Sequence, residues 1–237
     1  MLSFKGKKLL VIAPHPDDEI FGCGGLIARF KREGGQVYVL YLTVGTTRDF
    51  SGNGLSTEEE RQSEIKAVAE YLSFDGWKMA FPGNEYHLQL DGIPQKRLID
   101  EIERGDTISL EVIKPDVVAT TSVYDYNQDH RATANAALTA TRPTPPDFKS
   151  FQPLVIAYEL PPSAWRSGHV SVENNLYVSL SEEDFKQKTT ALGMYKSQLK
   201  NSHGPLSLYG VETLARMRGI ESGVTLAEAF SLNRLLT

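Results

Sequence analysis

The sequence contains a single cysteine, Cys23, among its 237 residues, and it has no Asn-x-Ser/Thr acceptor for glycosylation. An intrachain disulfide is therefore excluded, and both absences are typical of a protein of the reducing cytoplasm. Long apolar runs are also missing. The longest stretch without a charged residue covers 14 residues, from Gly34 to Thr47, whereas a membrane-spanning helix needs about 18 or more apolar residues. We therefore expect a cytoplasmic protein that does not cross a membrane.

The chain also lacks an excess of basic residues and the common nucleotide-binding signatures. It has 25 Lys and Arg against 30 Asp and Glu, a net charge of −5, and no basic cluster, which argues against nucleic acid as a partner. A dinucleotide-binding pattern starting at Gly22 would need glycine where Ile27 stands, and neither a phosphate-binding P-loop nor a Gly-x-Ser-x-Gly nucleophile motif occurs. A small-molecule partner is favoured, and the pattern leaves self-association open.

Short β-rich runs alternate with helical patterns over the first two thirds of the chain, which is typical of βαβ units in a mostly parallel sheet. The predicted strands are Lys8–Ala13, Gln36–Val44, Trp77–Phe81, Asp116–Thr121, Leu154–Glu159 and Asn175–Leu180. The predicted helices are Leu26–Glu33, Thr57–Leu72, Gln95–Lys114 with a break at Gly105-Asp106, Arg131–Thr141, Glu182–Gln198, and a C-terminal helix from Leu226. The apolar run at the N-terminus is read as the first strand and not as a signal peptide.

Four prolines between Arg142 and Pro153 predict a loop or the margin of a lid. No flexible linker separates the predicted elements, so we expect one domain over residues 1–237. The expected fold is α/β, with a Rossmann-like, mostly parallel sheet flanked by helices.

The first predicted strand runs into Pro14-His15-Pro16-Asp17-Asp18-Glu19. Open α/β sheets bind ligands beyond the carboxyl ends of their strands, and this motif occupies such a position. His15 and Asp18 offer a nitrogen and an oxygen donor on a turn stiffened by two prolines, so they can share one metal ion, with the Asp17 carboxylate beside it. The alternative is that Asp17 and Asp18 only cap the next helix. The crowding of carboxylates favours a metal, because their repulsion is costly without a cation.

A second motif, Asp129-His130, follows the predicted strand Asp116–Thr121 and opens the next helix. In a parallel sheet it lies at the same edge as His15, so His130 can supply a third ligand. A His/Asp/His set that leaves a fourth position open is typical of catalytic zinc. On its own, this motif would be read as a helix cap followed by a surface histidine. The presence of two such motifs at strand ends favours the metal site.

The two motifs together resemble the LmbE/PIG-L family of zinc-dependent deacetylases, which remove the acetyl group from N-acetylglucosamine-type sugars. Weaker similarity extends to 61–64, 115–118 and 195–198. The resemblance implies an LmbE-like fold and a metal, Zn²⁺ or another divalent ion such as Fe²⁺, held by His15, Asp18 and His130. It further implies that Asp17 is the general base. The implied contacts to an N-acetylated sugar substrate are Arg61, Asn127 and Asp129.

The sequence departs from the family at Asn127, where members often have histidine. An amide can donate a hydrogen bond but cannot deliver a proton near neutral pH. Two alternatives therefore stay open beside the deacetylase: an amidase acting on a larger N-acyl group or a thiol-sugar conjugate, and a metal-dependent sugar-binding protein with degraded catalysis. Weaker candidates for substrate contacts are His87, His169, His203 and Trp165. Cys23 is assigned no catalytic role, because a cysteine among glycines is more often a packed side chain.

Overall fold

Strands and helices alternate along the chain in a computed structural model that describes residues 3–48, 54–161, 174–200 and 203–237. The strands are β1 (Lys8–Ala13), β2 (Gln36–Val44), β3 (Thr47–Arg48), β4 (Leu55–Ser56), β5 (Gly76–Pro82), β6 (Val117–Thr120), β7 (Leu154–Tyr158), β8 (Leu176–Ser179) and β9 (Ala227–Leu235). The helices are α1 (Asp18–Arg32), α2 (Glu58–Tyr71), α3 (Gln95–Arg104), α4 (Leu110–Ile113), α5 (Gln128–Ala140), α6 (Glu182–Leu192) and α7 (Leu208–Ser222). A short 3₁₀ helix covers Leu90–Gly92.

The main sheet has the strand order β5-β2-β1-β6-β7-β9-β8. The first five strands in this order pair in parallel, and β9 runs antiparallel to both β7 and β8. The two-residue strands β3 and β4 pair with each other outside this sheet. The predicted α/β class with a mostly parallel sheet flanked by helices is thus confirmed.

Alternate residues of the central strands supply two apolar layers. In β1, Leu9 and Val11 face a cluster that includes side chains of α1, α2, α6 and α7. Leu10 and Ile12 face a second cluster with side chains of α3, α4 and α5. Because both faces of the sheet are covered, β1 reads as a continuous apolar run, as buried parallel strands do. The sheet centre is therefore fixed, and the segments at its carboxyl edge start from a rigid base.

Helix α1 begins at Asp18, eight residues before the predicted start at Leu26. The run from Gly22 to Gly25 hid its first half, since glycine is a poor helix former. Packing explains Gly22: a Cβ there would lie 2.2 Å from the Tyr158 ring. The helix is kinked at Cys23, whose φ of −145° is not helical.

The C-terminal prediction was wrong. The segment predicted as a helix from Leu226 forms strand β9, which pairs with β7 and β8. The helix at this end is α7, upstream of it, for which no prediction was made. The predicted helix Glu182–Gln198 also ends earlier, at Leu192.

The proline-rich segment 142–153 is a loop, as expected. It is fastened to α3, because Arg142 Nη1 and Lys149 Nζ both donate to Glu103 Oε2, at 2.8 and 2.9 Å. No helix among the described residues combines the length and the apolar character that a membrane span requires.

Candidate active site

The two sequence motifs meet at the carboxyl edge of the sheet because β1 and β6 are parallel neighbours. The turn after β1 carries His15 and leads to Asp18, the first residue of α1. The segment after β6 leads to His130 in the first turn of α5. All three side chains are buried, and one ligand atom from each lies within 4.8 Å of the other two. The structure therefore brings the three predicted metal ligands together.

In both histidines, one ring nitrogen faces Asp18 and the other lies close to a second carboxylate. His15 Nδ1 and His130 Nε2 lie 3.4 and 3.3 Å from Asp18 Oδ2. On the opposite sides, His15 Nε2 lies 2.8 Å from Asp129 Oδ2, and His130 Nδ1 lies 3.1 Å from Asp125 Oδ2. A carboxylate on the second nitrogen is the usual support of a metal-binding histidine. The donor set therefore fits a divalent cation such as zinc.

The electrostatics of this cluster favour a positive charge at its centre. Burial opposes ionisation of Asp18, but His130 and His15 outweigh it and hold the pKa of Asp18 well below its usual range. Burial likewise lowers the pKa of His130, but Asp18 and Asp125 overcome it and raise this pKa to about 10. The carboxylates thus stabilise a cation at this position, and a metal ion and a proton would compete for it.

Asp129 is fully buried, with 0% of its surface exposed. Besides His15, its carboxylate accepts hydrogen bonds from the backbone N–H groups of Leu88 (2.8 Å) and Leu90 (2.9 Å). Leu88 has a φ of 58°, which is unusual for a leucine. The structure thus places Asp129 behind His15, where it orients the ring and fastens the loop after β5. It does not place this predicted substrate contact on the cavity wall.

Asp17 has a φ of 104°, a backbone conformation that costs energy for any residue with a Cβ. Its N–H donates to Glu19 Oε2 at 3.0 Å. The side chain is half-buried in the cavity wall and makes no capping hydrogen bond to α1, so helix capping does not account for it. Burial and the charge of Asp18 raise the pKa of Asp17 well above its usual value, against a smaller opposing effect of Arg61. A strained, partly desolvated carboxylate beside a candidate metal site is typical of a functional group.

Glu19 holds the turn at Asp17 by accepting a hydrogen bond from the Asp17 N–H. It is fully buried, and its Oε1 accepts a hydrogen bond of 2.6 Å from the Tyr195 hydroxyl. The Tyr41 hydroxyl lies 3.3 Å from that of Tyr195. Burial raises the pKa of Glu19 to about 7. The network ties the Asp17 turn to strand β2 and to the segment that follows α6.

Arg61 and His87 form another part of the cavity wall. Arg61 comes from α2, whose start is fixed by a capping box between Thr57 and Glu60. Its Nη1 lies 3.4 Å from His87 Nε2, and its Nη2 donates to the Pro16 carbonyl at 3.3 Å. The His87 ring stands at 78° to that of His15, with 5.2 Å between centroids. Burial, followed by the charges of His15 and Arg61, lowers the pKa of His87 to about 3.

Asn127 is the N-cap residue of α5, and its Oδ1 accepts a hydrogen bond from the Asp129 N–H at 2.9 Å. The same side chain lines the cavity. Because Oδ1 is engaged by the helix, Nδ2 is the donor that this residue can offer to a ligand.

These groups enclose a cavity of about 170 Å³. Six of the seven predicted site residues line it: His15, Asp17, Asp18, Arg61, Asn127 and His130. Apolar and polar side chains from other elements complete the wall: Phe21, Thr47, His87, Leu88, Asp125, Tyr126, Leu160, Gln198 and Leu206. The cavity therefore combines a candidate metal centre, a free carboxylate and a buried guanidinium.

Several residues of the site had only a weak signal in the sequence. Asp125 could have been found from its position five residues before His130. His87 was one of several loop histidines, and only the fold shows that it lies against His15. Glu19 lies in the first motif and Tyr195 in the segment 195–198, but the sequence does not show their contact because 176 residues separate them. His203 is exposed and is absent from the cavity wall, whereas Trp165 and His169 lie outside the described residues. Cys23 is fully buried.

Comparisons with known proteins give a consistent family. A family model described as PIG-L: GlcNAc-PI de-N-acetylase matches residues 10–141. A protein of Escherichia coli (strain K12), named as the uncharacterized deacetylase YaiS, is 28% identical over 193 residues, covering 81% of this chain and 92% of the relative. A probable N-acetyl-alpha-D-glucosaminyl L-malate deacetylase 2 of Bacillus cereus is 25% identical over 218 residues, 88% of this chain and 93% of the relative.

The fold is also similar to that of solved structures. The conserved protein TT1542 from Thermus thermophilus superposes with a TM-score of 0.73 at 27% sequence identity, covering 98% of this chain and 96% of that one. The family model spans more than half of the chain, and the superposition extends over almost all of it. The chain therefore belongs to the PIG-L family, the family of the GlcNAc-PI de-N-acetylase model.

Proposed function

We propose that this protein is a zinc-dependent N-deacetylase that releases acetate from an N-acetylglucosamine-type sugar or sugar conjugate. The observation that carries the proposal is the convergence, in one cavity, of three buried metal donors and a separate carboxylate, Asp17. Hydrolysis of an amide needs a site that polarises the carbonyl and a base that accepts a proton from water. Membership of the PIG-L family narrows the amide to an N-acetyl group on a sugar.

His15, Asp18 and His130 would hold the ion. When bound there, a zinc ion supplies Lewis-acid chemistry, which polarises the acetamide carbonyl and makes water more acidic. The carboxylates of Asp129 and Asp125 keep the two imidazoles oriented for this task. Asp129 thus acts behind the site and not on the sugar.

Asp17 moves the proton. It takes one from the attacking water as the oxygen adds to the carbonyl carbon, and it returns the proton to the nitrogen when the C–N bond breaks. The products are acetic acid, which ionises to acetate, and a free amine. Asp17 suits both steps because burial favours its neutral form and Arg61 favours its anion, which keeps proton uptake and release both within reach.

Asn127 and Arg61 serve the substrate oxygens. Asn127 Nδ2 donates to the oxyanion that develops at the carbonyl, the role that a histidine would otherwise fill. Arg61 faces the cavity with its charge and holds the sugar conjugate. The B. cereus relative is named for a substrate that carries malate, so an acidic conjugate is the substrate class that we test first.

The proposal is tested by metal analysis together with acetate release. The purified protein, loaded with zinc, is given N-acetylglucosamine, N,N′-diacetylchitobiose and N-acetylglucosaminyl malate. We expect about one metal ion per chain and stoichiometric release of acetate and amine from at least one sugar. His130→Ala should lose most of the metal and the activity together, whereas His203→Ala, which changes an exposed histidine, should retain both.

Each alternative has its own outcome in the same experiment. One bound ion without acetate release from any sugar of the panel would contradict the deacetylase and favour a sugar-binding protein. Faster cleavage of N-propionyl or N-butyryl analogues than of the N-acetyl sugars would favour an amidase for a larger acyl group. Full metal occupancy in His130→Ala would overturn the ligand assignment.

A further inference from the structure

Arg61 is a buried cation that forms no ion pair with a carboxylate of the described residues, although its charge acts on Asp17 in the same cavity wall. The residue is only 2% exposed. Its guanidinium contacts His87 Nε2 and the Pro16 carbonyl, and neither acceptor carries a negative charge. In the part of the chain that the structure describes, Arg61 Nε has no hydrogen-bond partner. Buried charges are usually paired, because an unpaired one loses its hydration without compensation. A guanidinium that no carboxylate contacts presents its charge to the cavity, where it acts on Asp17 and would act on a bound anion.

The contact with Arg61 defines the protonation of His87. A guanidinium has only donors, so the 3.4 Å contact with Arg61 is a hydrogen bond when His87 Nε2 is the acceptor and carries no proton. The imidazole is then neutral, with its proton on Nδ1. His87 Nδ1 has no partner among the described residues, and an unsatisfied buried nitrogen is a cost that a purely structural side chain would avoid.

The loop that carries His87 is built into the site. The next residue, Leu88, donates its N–H to Asp129 Oδ2, and its φ of 58° records a strained turn at this point. The imidazole is thereby wedged between the His15 ring and the Arg61 guanidinium. The backbone at His87 is held by the Gly83 carbonyl and, through Leu88, by Asp129, whereas the ring lies between His15 and Arg61.

We propose that His87 is a positioning residue for the deacetylation proposed above: its neutral imidazole accepts a hydrogen bond from Arg61 and holds the guanidinium at the cavity wall without neutralising it. An aspartate or glutamate at this position would also hold Arg61, but it would cancel the charge that faces the substrate. Histidine provides the acceptor without the charge. His87 therefore acts on substrate binding through Arg61 and takes no part in proton transfer.

The decisive pair of variants is His87→Asn and His87→Gln. The glutamine amide oxygen lies about as far from the backbone as Nε2 and can accept from Arg61, whereas the asparagine oxygen corresponds to Nδ1 and cannot. With metal-loaded enzyme, we expect His87→Asn to raise KM about 10- to 100-fold, the loss of a hydrogen bond to a charged group, with kcat much less affected. His87→Gln should recover most of that loss. Equal defects in both variants would overturn the proposal.

A double-mutant cycle tests whether the effect passes through Arg61. In an Arg61→Ala background, His87→Asn should cause no further loss of kcat/KM, because the residue that it positions is gone. Full additivity of the two changes would contradict the coupling. Metal content must be equal in all variants, since a lower content in His87→Asn would show that His87 acts on His15 instead.

A spectroscopic measurement tests the contact without any substrate. Long-range ¹H–¹⁵N correlation spectra of the zinc-loaded protein should show His87 as a neutral ring protonated at Nδ1, and Arg61→Ala should shift it toward the Nε2-protonated form. An imidazolium, or an Nε2-protonated ring in the native protein, would overturn the proposal. If the native enzyme releases no acetate while this signature is present, the proposed function fails and the His87–Arg61 contact stands.

Discussion

At the scale of single residues, a substitution at Asp17 can test its proposed role in catalysis without changing the backbone. Aspartate and asparagine tolerate a positive φ better than most other residues, so Asp17→Asn should keep the conformation at φ 104° and remove only the ability to accept a proton. We predict that the variant retains its metal and loses about 10²- to 10⁴-fold in kcat, the usual contribution of a general base. Zinc content and single-turnover rates measure the two effects. Near-native turnover would show that Asp17 is not the base.

Asn127 has two roles in the structure, and they can be separated. Its Oδ1 caps α5, so Asn127→Ala should cost about 1 kcal/mol of stability in addition to its effect on the rate. Asn127→Ser retains a good cap but removes the amide donor. We predict native-like stability for the serine variant, measured by urea unfolding, with a rate reduced by up to about 10²- to 10³-fold. An unchanged rate in both variants would show that the side chain points away from the chemistry.

The pH dependence gives a separate test of Asn127. Because an amide does not titrate, a loss of kcat/KM at high pH in the native enzyme must come from another group, and Asn127→Ala should leave that limb in place. Asn127→His should add a new ionisation to the profile if the side chain faces the developing oxyanion. The comparison requires equal metal occupancy in all three forms. Native profiles for both variants would contradict the placement.

The sequence reveals the site residues only where they are neighbours in the chain. His15, Asp17 and Asp18 form one motif, and Asp129 and His130 another, so their donor chemistry could be interpreted directly. Arg61 was one charge among many on its helix and entered only through a resemblance. The contacts that orient these groups join distant segments: Arg61 with His87, His15 with Asp129, and Glu19 with Tyr195. Such contacts depend on the tertiary fold and leave no local pattern.

At the scale of elements, the backbone of helix α1 is hydrogen-bonded at its kink to a carboxylate of strand β9. Just after the kink at Cys23, Glu228 in β9 accepts hydrogen bonds from two backbone N–H groups of α1, those of Gly25 at 2.8 Å and Leu26 at 2.7 Å. Lys188 Nζ, also buried, donates to Glu228 Oε1 at 2.7 Å. The Glu228 carboxylate thus lies at the N-terminus of the second half of α1, where the helix dipole favours a negative charge.

This arrangement predicts a large effect of Glu228→Ala. The variant leaves the buried Lys188 ammonium with the Phe21 carbonyl but without its anionic partner, which typically costs about 3–5 kcal/mol, and it removes the acceptor at the helix kink. Urea unfolding measures the loss. The double variant Lys188→Met/Glu228→Gln, which removes both charges and keeps an acceptor, should be more stable than Glu228→Ala. If Glu228→Ala has native stability, the ion pair and the cap contribute little.

Strands that are buried on both faces were predicted correctly, whereas some partly exposed elements were missed. The central strands were found because apolar residues occupy both of their faces, as in β1. Helix α7 was missed, since Gly219 interrupts its pattern and exposed apolar residues such as Met217 and Ile220 blur its two faces. A Cβ at Gly219 would lie 2.5 Å from the Thr225 carbonyl oxygen, so close packing requires this glycine against its low helix propensity. Strand β9 was predicted as a helix because its pairing with β7 and β8 is a tertiary property.

At the scale of the whole molecule, strand order brings together motifs that lie more than 100 residues apart. β1 lies between β2 and β6, in the middle of the five parallel strands, and its neighbours on both sides run parallel to it. The segments after β1 and β6 therefore emerge side by side, and His15 meets Asp129 across 114 residues. The α/β class could be predicted from the alternation of strand and helix patterns. The position of the site could be predicted because the carboxyl ends of parallel strands lie at the same edge of a sheet.

A metal held by ligands from two distant segments should stabilise the whole fold. His15 and Asp18 precede and begin α1, whereas His130 belongs to α5, so unfolding destroys the site and releases the ion. At a free zinc concentration of about 100 times Kd, the gain is about 2.7 kcal/mol, which corresponds to roughly 5–10 °C in Tm for a chain of this size. We predict that a chelator lowers the Tm of the native protein and of His203→Ala by this amount, and that it has little effect on His130→Ala. Differential scanning calorimetry with and without chelator measures the shift. An equal shift in all three proteins would place the stabilising ion elsewhere.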